Sequence, residues 1–136
     1  MSCILAIDYG LKRTGIAITD ELQMIASPLE TVLTVNLWPY LAEIIERKKI
    51  QEIVLGEPKG LRGGDTNASA GVRKFELDFE KKWPLIKLAK INEMFTSKMA
   101  SQAMIAGGAK KSQRQKKGEL DRISAAIILQ DYLASR

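Results

Sequence analysis

The feature that most constrains this chain is a short, unbroken apolar run, Ile4-Leu5-Ala6-Ile7, that ends in Asp8. A strand with one wet face alternates apolar and polar residues. A run that is apolar at every position reads as a strand buried on both faces. Tyr9-Gly10-Leu11-Lys12-Arg13-Thr14 then has turn character, and Gly15–Thr19 is a second strand, closed by Asp20-Glu21. Two strands this close in sequence form a hairpin. A third strand is expected over Ala26–Leu33, with Pro28 at its start or on a sheet edge.

Helical and extended segments alternate from there. Asn36–Lys49 reads as a helix whose apolar face is Leu37, Leu41, Ile44 and Ile45, and Arg47-Lys48-Lys49 suit its negative C-terminal end. Ile50–Gly56 is another buried strand. Asp65 or Thr66 can cap a helix reaching Lys82, with Val72, Phe75 and Phe79 at helical spacing. A strand is expected at Ile86–Ile91, a short helix at Ser97–Ala106, and a last helix over Glu119–Ala134 with Leu120, Ile123, Ile127 and Leu133 among its buried positions. The order β-β-β-α-β-α-β-α-α predicts an α/β fold, a mixed sheet covered by helices, in one domain over 1–136.

Composition narrows the chemistry. The 136 residues contain no histidine and a single cysteine, Cys3. That excludes Ser-His-Asp triads, Cys-His dyads, imidazole or thiolate zinc sites and internal disulfides. Cys3 reads as a small strand residue. No Gly-x-x-x-x-Gly-Lys-Ser/Thr occurs, so a P-loop is excluded as well. No stretch approaches the roughly 18–20 consecutive apolar residues of a membrane span. The N-terminus lacks a signal-peptide pattern, so a cytoplasmic protein is expected. The net charge of +5 suits a polyanionic partner.

Acid–base or metal chemistry must therefore rest on acidic residues, lysines or tyrosines. A carboxylate at the end of a doubly buried strand is costly unless it is paired or bound to metal, and open α/β sheets hold ligands beyond the strand C-termini. Asp8 meets both conditions. Glu93 lies just past the strand Ile86–Ile91, Asp121 falls in the first turn of the last helix, and Glu57 follows Ile53-Val54-Leu55. Each has a plainer reading: Asp8 as a turn cap, Glu93 and Glu57 as solvated loop residues, Asp121 as a helix-dipole partner. Clustered carboxylates without histidine favour Mg²⁺ or Mn²⁺, one or two ions, and a two-ion site can cleave phosphodiesters. Lys12 and Arg13, beside Asp8, could hold phosphates or form a solvated hairpin tip. The segment 109–118 carries Lys110, Lys111, Arg114, Lys116 and Lys117 with almost no apolar residue. It reads as a loop that tracks a nucleic-acid backbone or keeps the chain soluble.

The segment Ile7-Asp8-Tyr9-Gly10-Leu11-Lys12-Arg13-Thr14-Gly15-Ile16-Ala17 resembles the opening motif of the YqgF family, also called RuvX. Val54-Leu55-Gly56-Glu57-Pro58 resembles its Gly-Leu-Pro loop, and Asn92-Glu93-Met94-Phe95-Thr96-Ser97 its Asp-Glu-Arg motif. Leu120-Asp121-Arg122-Ile123-Ser124-Ala125-Ala126 through Gln130 resembles its C-terminal motif. The four keep their order and span essentially the whole chain. The resemblance implies a ribonuclease H-like fold, a mixed five-stranded sheet with helices on both faces, related to the RuvC resolvases. It also implies a bacterial cytoplasmic nuclease that matures the 5′ end of pre-16S ribosomal RNA, with Asp8, Glu93 and Asp121 as its acidic, metal-binding site. Three positions depart from the family pattern. Asn92 stands in place of Asp and removes a charge that could bind metal. Met94 stands in place of Arg and removes a phosphate or carboxylate partner. Glu57 stands in place of Leu and adds an acid at a neighbouring strand end.

Other readings share parts of this pattern. A Holliday junction resolvase uses the same chemistry on branched DNA, as a dimer, whereas nothing in this sequence distinguishes monomer from dimer. A catalytically weak RNA-binding or ribosome-assembly factor is favoured by Asn92 and Met94. An actin-like ATPase or sugar kinase shares the Asp8-x-Gly10 turn but needs two such domains around a cleft.

Overall fold

The computed structural model describes residues 2–57, 67–92 and 119–135, with the backbone alone for 57, 67–69, 92 and 119–121. Five strands, β1 (Ile4–Asp8), β2 (Arg13–Thr19), β3 (Ala26–Leu33), β4 (Glu52–Glu57) and β5 (Lys87–Asn92), form one sheet in the order β3-β2-β1-β4-β5. β1 pairs antiparallel with β2 and parallel with β4. β2–β3 is antiparallel and β4–β5 parallel. The sheet is mixed, as expected, and β1 is its centre.

The centre is buried on both sides: Ile4, Leu5, Ala6 and Ile7 have no exposed surface. Leu5 and Ile7 face helices α1 (Leu37–Lys48) and α2 (Asn67–Lys82) in a core with Leu41, Ile44, Ile53, Leu55, Phe75 and Phe79. Ile4 and Ala6 face helix α3 (Glu119–Ser135) in a second core with Ala17, Val54, Ala125, Ile128 and Leu129. Helices therefore cover both faces.

β3 lies at the sheet edge, where Pro28 costs no ladder hydrogen bond on its open side. A register shift between Ile16 and Ala17 lets β3 bulge there.

Several expectations need correction. The first helix stops at Lys48. Lys49 is a left-handed cap at φ 53°, and its N–H bonds Ile45 O, so Lys49 and the buried Ile50 form the link into β4. A 3-10 turn, Thr34–Asn36, precedes α1. In α3 the fully buried positions are Ser124, Ala125, Ile128 and Leu129, while Ile123, Ile127 and Leu133 are only partly buried. The packing seam runs through Ala125, which shares a core with Ala6 and Ala17 of the sheet. The side chain of Leu120, the caps Asp65 and Thr66 and the helix expected at Ser97–Ala106 lie outside the described residues.

Candidate active site

Strand directions set Asp8, Glu57 and Asn92 at one edge of the sheet. β1 and β3 run the same way, and β4 and β5 run with them, so the C-terminal ends of four strands share one edge. Asp8 ends β1 there, partly buried and opposite Gly15 across the hairpin. Alternation places Asp8 on the face of Ile4 and Ala6, the face that α3 covers. Arg13, at the start of β2, has the same parity as Ala17 and so lies on that face too. Glu57 and Asn92 are the last residues of β4 and β5 and pair with each other in register.

Asp121 lies in the first turn of α3. Near the other end of α3, the Tyr132 hydroxyl donates to Glu52 Oε2, at the first residue of β4. From Tyr132 back to Asp121 the helix spans about 16 Å. From Glu52 to Glu57 the strand also spans about 16 Å. Between these ends α3 packs over β1 and β2 through Ala125, Ile128 and Leu129. Glu93, Met94 and the basic positions Lys110, Lys111, Arg114, Lys116 and Lys117 lie outside the described residues.

The loop after Asp8 is held by contacts that sequence reasoning missed. Thr34 Oγ1 donates to Gly10 O at 2.6 Å and lies 2.9 Å from Thr14 Oγ1. Thr34 N–H donates to Lys12 O at 2.9 Å. Thr14 is fully buried. The turn after β3 therefore clamps the hairpin loop, and Lys12 stays exposed at its tip. Gly10 is required by close approach: a Cβ there would sit 2.2 Å from Arg13 O. Only the pairing of a buried Thr14 with a polar residue just after β3 hinted at this clamp.

The donors available at this edge are oxygens, which match hard divalent cations. Among the described residues no three acidic or thiol side chains converge, and Glu93 is not one of those residues. The opposite edge holds a cavity of about 630 Å³, lined by Cys3, Thr19, Asp20, Glu21, Arg47, Lys48 and Lys49 among others. Burial, with the Glu21 charge behind it, pushes the Cys3 thiol pKa up, which suits an inert core thiol. Among the described residues, no helix is long and apolar enough to cross a membrane.

Comparison with known proteins bears on the family and the fold. The model of the RuvX family, described as Holliday junction resolvase, matches residues 2–135. A protein of Flavobacterium johnsoniae named "Putative pre-16S rRNA nuclease" is 46% identical over 136 residues, covering 100% of this chain and 99% of its own length. A Phocaeicola vulgatus protein of the same name is 45% identical, covering 100% and 98%. Among solved structures, Thermus thermophilus RuvC in complex with a Holliday junction substrate superposes with TM-score 0.60 at 16% identity, covering 100% of this chain and 96% of that one. The Fowlpox virus resolvase with Holliday junction DNA superposes with TM-score 0.61 at 16% identity, covering 98% and 97%. At such identities the likeness establishes the fold alone, which is that of the RuvC-like resolvases.

Proposed function

The chain belongs to the RuvX family, and we propose that it is a divalent-cation-dependent nuclease that hydrolyses phosphodiester bonds at the 5′ end of precursor 16S ribosomal RNA in the cytoplasm. The observation that carries this reading is the shared face of Asp8 and Arg13 at the edge where β1, β4 and β5 end. The names of its full-length relatives support the RNA substrate.

Asp8, Glu93 and Asp121 would hold Mg²⁺ or Mn²⁺, with Glu57 as a further acid at the same edge. Bound there, such ions would supply Lewis-acid stabilisation of charge on phosphoryl oxygens and would lower the pKa of an attacking water. Arg13 would orient a phosphate by paired N–H donors, and Lys12 would add a point charge. Lys110, Lys111, Arg114, Lys116 and Lys117 would follow the backbone without reading sequence. Asn92 removes one acid of the usual family pattern, and Glu57, its partner across the two strands, adds one.

A second reading, cleavage of branched DNA, is favoured by the family's description as a resolvase. The test offers the purified chain a 5′-extended precursor 16S RNA and a four-way DNA junction, each with Mg²⁺, with Mn²⁺ and with EDTA. Metal-dependent cut of the RNA alone is expected. Cutting of the junction alone would establish the second reading, and binding of RNA without cleavage of either substrate would make the chain an assembly factor.

A further inference from the structure

Asp8 and Tyr9 are neighbours in the chain, yet alternation sends them to opposite sides of the sheet. Tyr9 packs on the α1–α2 side. There a cleft of about 200 Å³ opens, lined by Tyr9, Thr34, Trp38, Lys74 and Asp78 among others, and its lining is mainly polar. The aromatic rings are engaged with one another: Tyr9 meets Phe75 at 5.5 Å, and Trp38 packs on Phe75 at 4.9 Å and on Trp83 at 6.3 Å. Thr34 Oγ1 is already given to Gly10 O. The remaining polar groups differ. Among the described residues neither Lys74 nor Asp78 makes an ion pair, and Tyr9 Oη makes no hydrogen bond.

These three groups are ordered along α2. Gly71 sets the Tyr9 hydroxyl against the helix, since a Cβ there would come within 2.9 Å of Tyr9 Cε1 and 3.5 Å of Tyr9 Oη. Lys74 follows Gly71 by three residues and Asp78 follows Lys74 by four, so all share one stripe of the helix. Two donors, Tyr9 Oη and Lys74, therefore lie at the end of the cleft nearer Asp8, which is about 3.8 Å from Tyr9 along the chain. Asp78, an acceptor, lies about 6 Å further along the helix. One sugar–phosphate unit of RNA has the complementary pattern, because its phosphate only accepts and its 2′-hydroxyl can donate. The volume, below the roughly 300–1,000 Å³ of sites for drug-sized ligands, suits such a unit.

We propose that this cleft is a ribose-phosphate subsite, in which Lys74 and the Tyr9 hydroxyl hold a phosphate of the strand and Asp78 accepts the 2′-hydroxyl beside it. The inference deepens the nuclease reading and rests on it. It adds a device for choosing RNA: a DNA strand has no hydroxyl for Asp78 and brings only like charge toward it.

The test uses full-length Asp8→Asn protein, so that RNA stays intact. It is titrated with single-stranded RNA oligomers carrying one methylphosphonate linkage, or one 2′-deoxynucleotide, at successive positions. One linkage and one adjacent sugar should each weaken binding about 2- to 10-fold. Lys74→Gln should erase the methylphosphonate effect and lower the salt slope of RNA binding by about 0.7, whereas Lys74→Arg should keep both. Asp78→Ala should erase the 2′-deoxy effect and bring the affinity for DNA of the same sequence closer to that for RNA. If either scan finds no sensitive position, or if either loss persists unchanged in the folded variant of its own residue, the proposal falls. RNA cleavage by the unaltered chain would then still uphold the nuclease reading. Conversely, paired losses erased by Lys74→Gln and Asp78→Ala stand even if the unaltered chain cuts no nucleic acid.

Discussion

Asp8 ends β1 and Asp20 follows β2, so the two acids sit at opposite edges of one antiparallel pair. In sequence they look alike, each closing an apolar strand. In the fold they differ. Asp20 is exposed and turned back on its own loop: Oδ1 accepts from the N–H groups of Ile25 at 2.8 Å and Met24 at 2.9 Å, and Oδ2 from Leu22 at 3.3 Å. Those bonds, Ile25 first, hold its carboxyl below the usual carboxylate range. Asp8 is partly buried on the α3 face, beside the ends of the parallel strands. An acid at a strand end becomes a turn cap where the chain doubles back on it. It becomes a candidate for chemistry where strand ends from distant parts of the chain meet.

The substitution that sharpens this contrast most is Asp8→Asn. It should remove Mg²⁺- or Mn²⁺-dependent cleavage by more than the roughly 10–100-fold typical of losing a residue that only supports a metal ligand. Circular dichroism should show the fold retained, and Asp20→Asn should cut at the unaltered rate. Full cleavage by folded Asp8→Asn protein would break the comparison.

Next in size is Gly10→Ala. The added Cβ collides with a backbone carbonyl, Arg13 O, so the loop must move. A loss of about 1–3 kcal/mol is expected in denaturant melts, together with slower cleavage. An unchanged midpoint would mean that the loop is not clamped. Thr34→Val is milder. It removes the bond to Gly10 O and leaves Thr14 Oγ1 without that partner, at about 1–2 kcal/mol. Chemical denaturation reads it, and an equal loss in a Thr14→Val background would show that the two hydroxyls do not act together.

The smallest effect is a pH dependence at the other edge. The folded pKa of Asp20 is depressed, so its contribution to stability is present above the ordinary carboxylate value of about 3.9. It is lost as pH falls through the lower folded value. Melts of wild type and Asp20→Asn should therefore differ in acid slope below about pH 4 and run parallel at neutral pH. Identical acid slopes would assign the lowered carboxyl no part in stability.

Legibility in the sequence followed burial pattern. The two-sided burial of β1 was plain from four consecutive apolar residues, and Val72, Phe75 and Phe79 took the core positions that their spacing predicted. β3 occupies Ala26–Leu33, the span read from β propensity and Pro28. The buried face of α3 was not legible. Ile123, Ala125, Ala126, Ile127, Ile128 and Leu129 are apolar almost all round the helix, so periodicity does not choose a face. The Thr34 clamp escaped because its partners, Gly10, Lys12 and Thr14, lie twenty or more positions away in or near another turn.

What this sequence determined by itself is local: which segments are strands or helices, that histidine and disulfide chemistry are excluded, and that Asp8 closes a buried strand. These follow from side-chain volume, polarity and period, which neighbours along the chain reveal. What the tertiary structure alone decided is which distant ends meet. Parallel pairing set Glu57 against Asn92, alternation put Asp8 and Arg13 on one face and Tyr9 on the other, and the seam of α3 turned to Ala125. Strand direction and close packing couple residues far apart in sequence, and no local pattern carries that coupling.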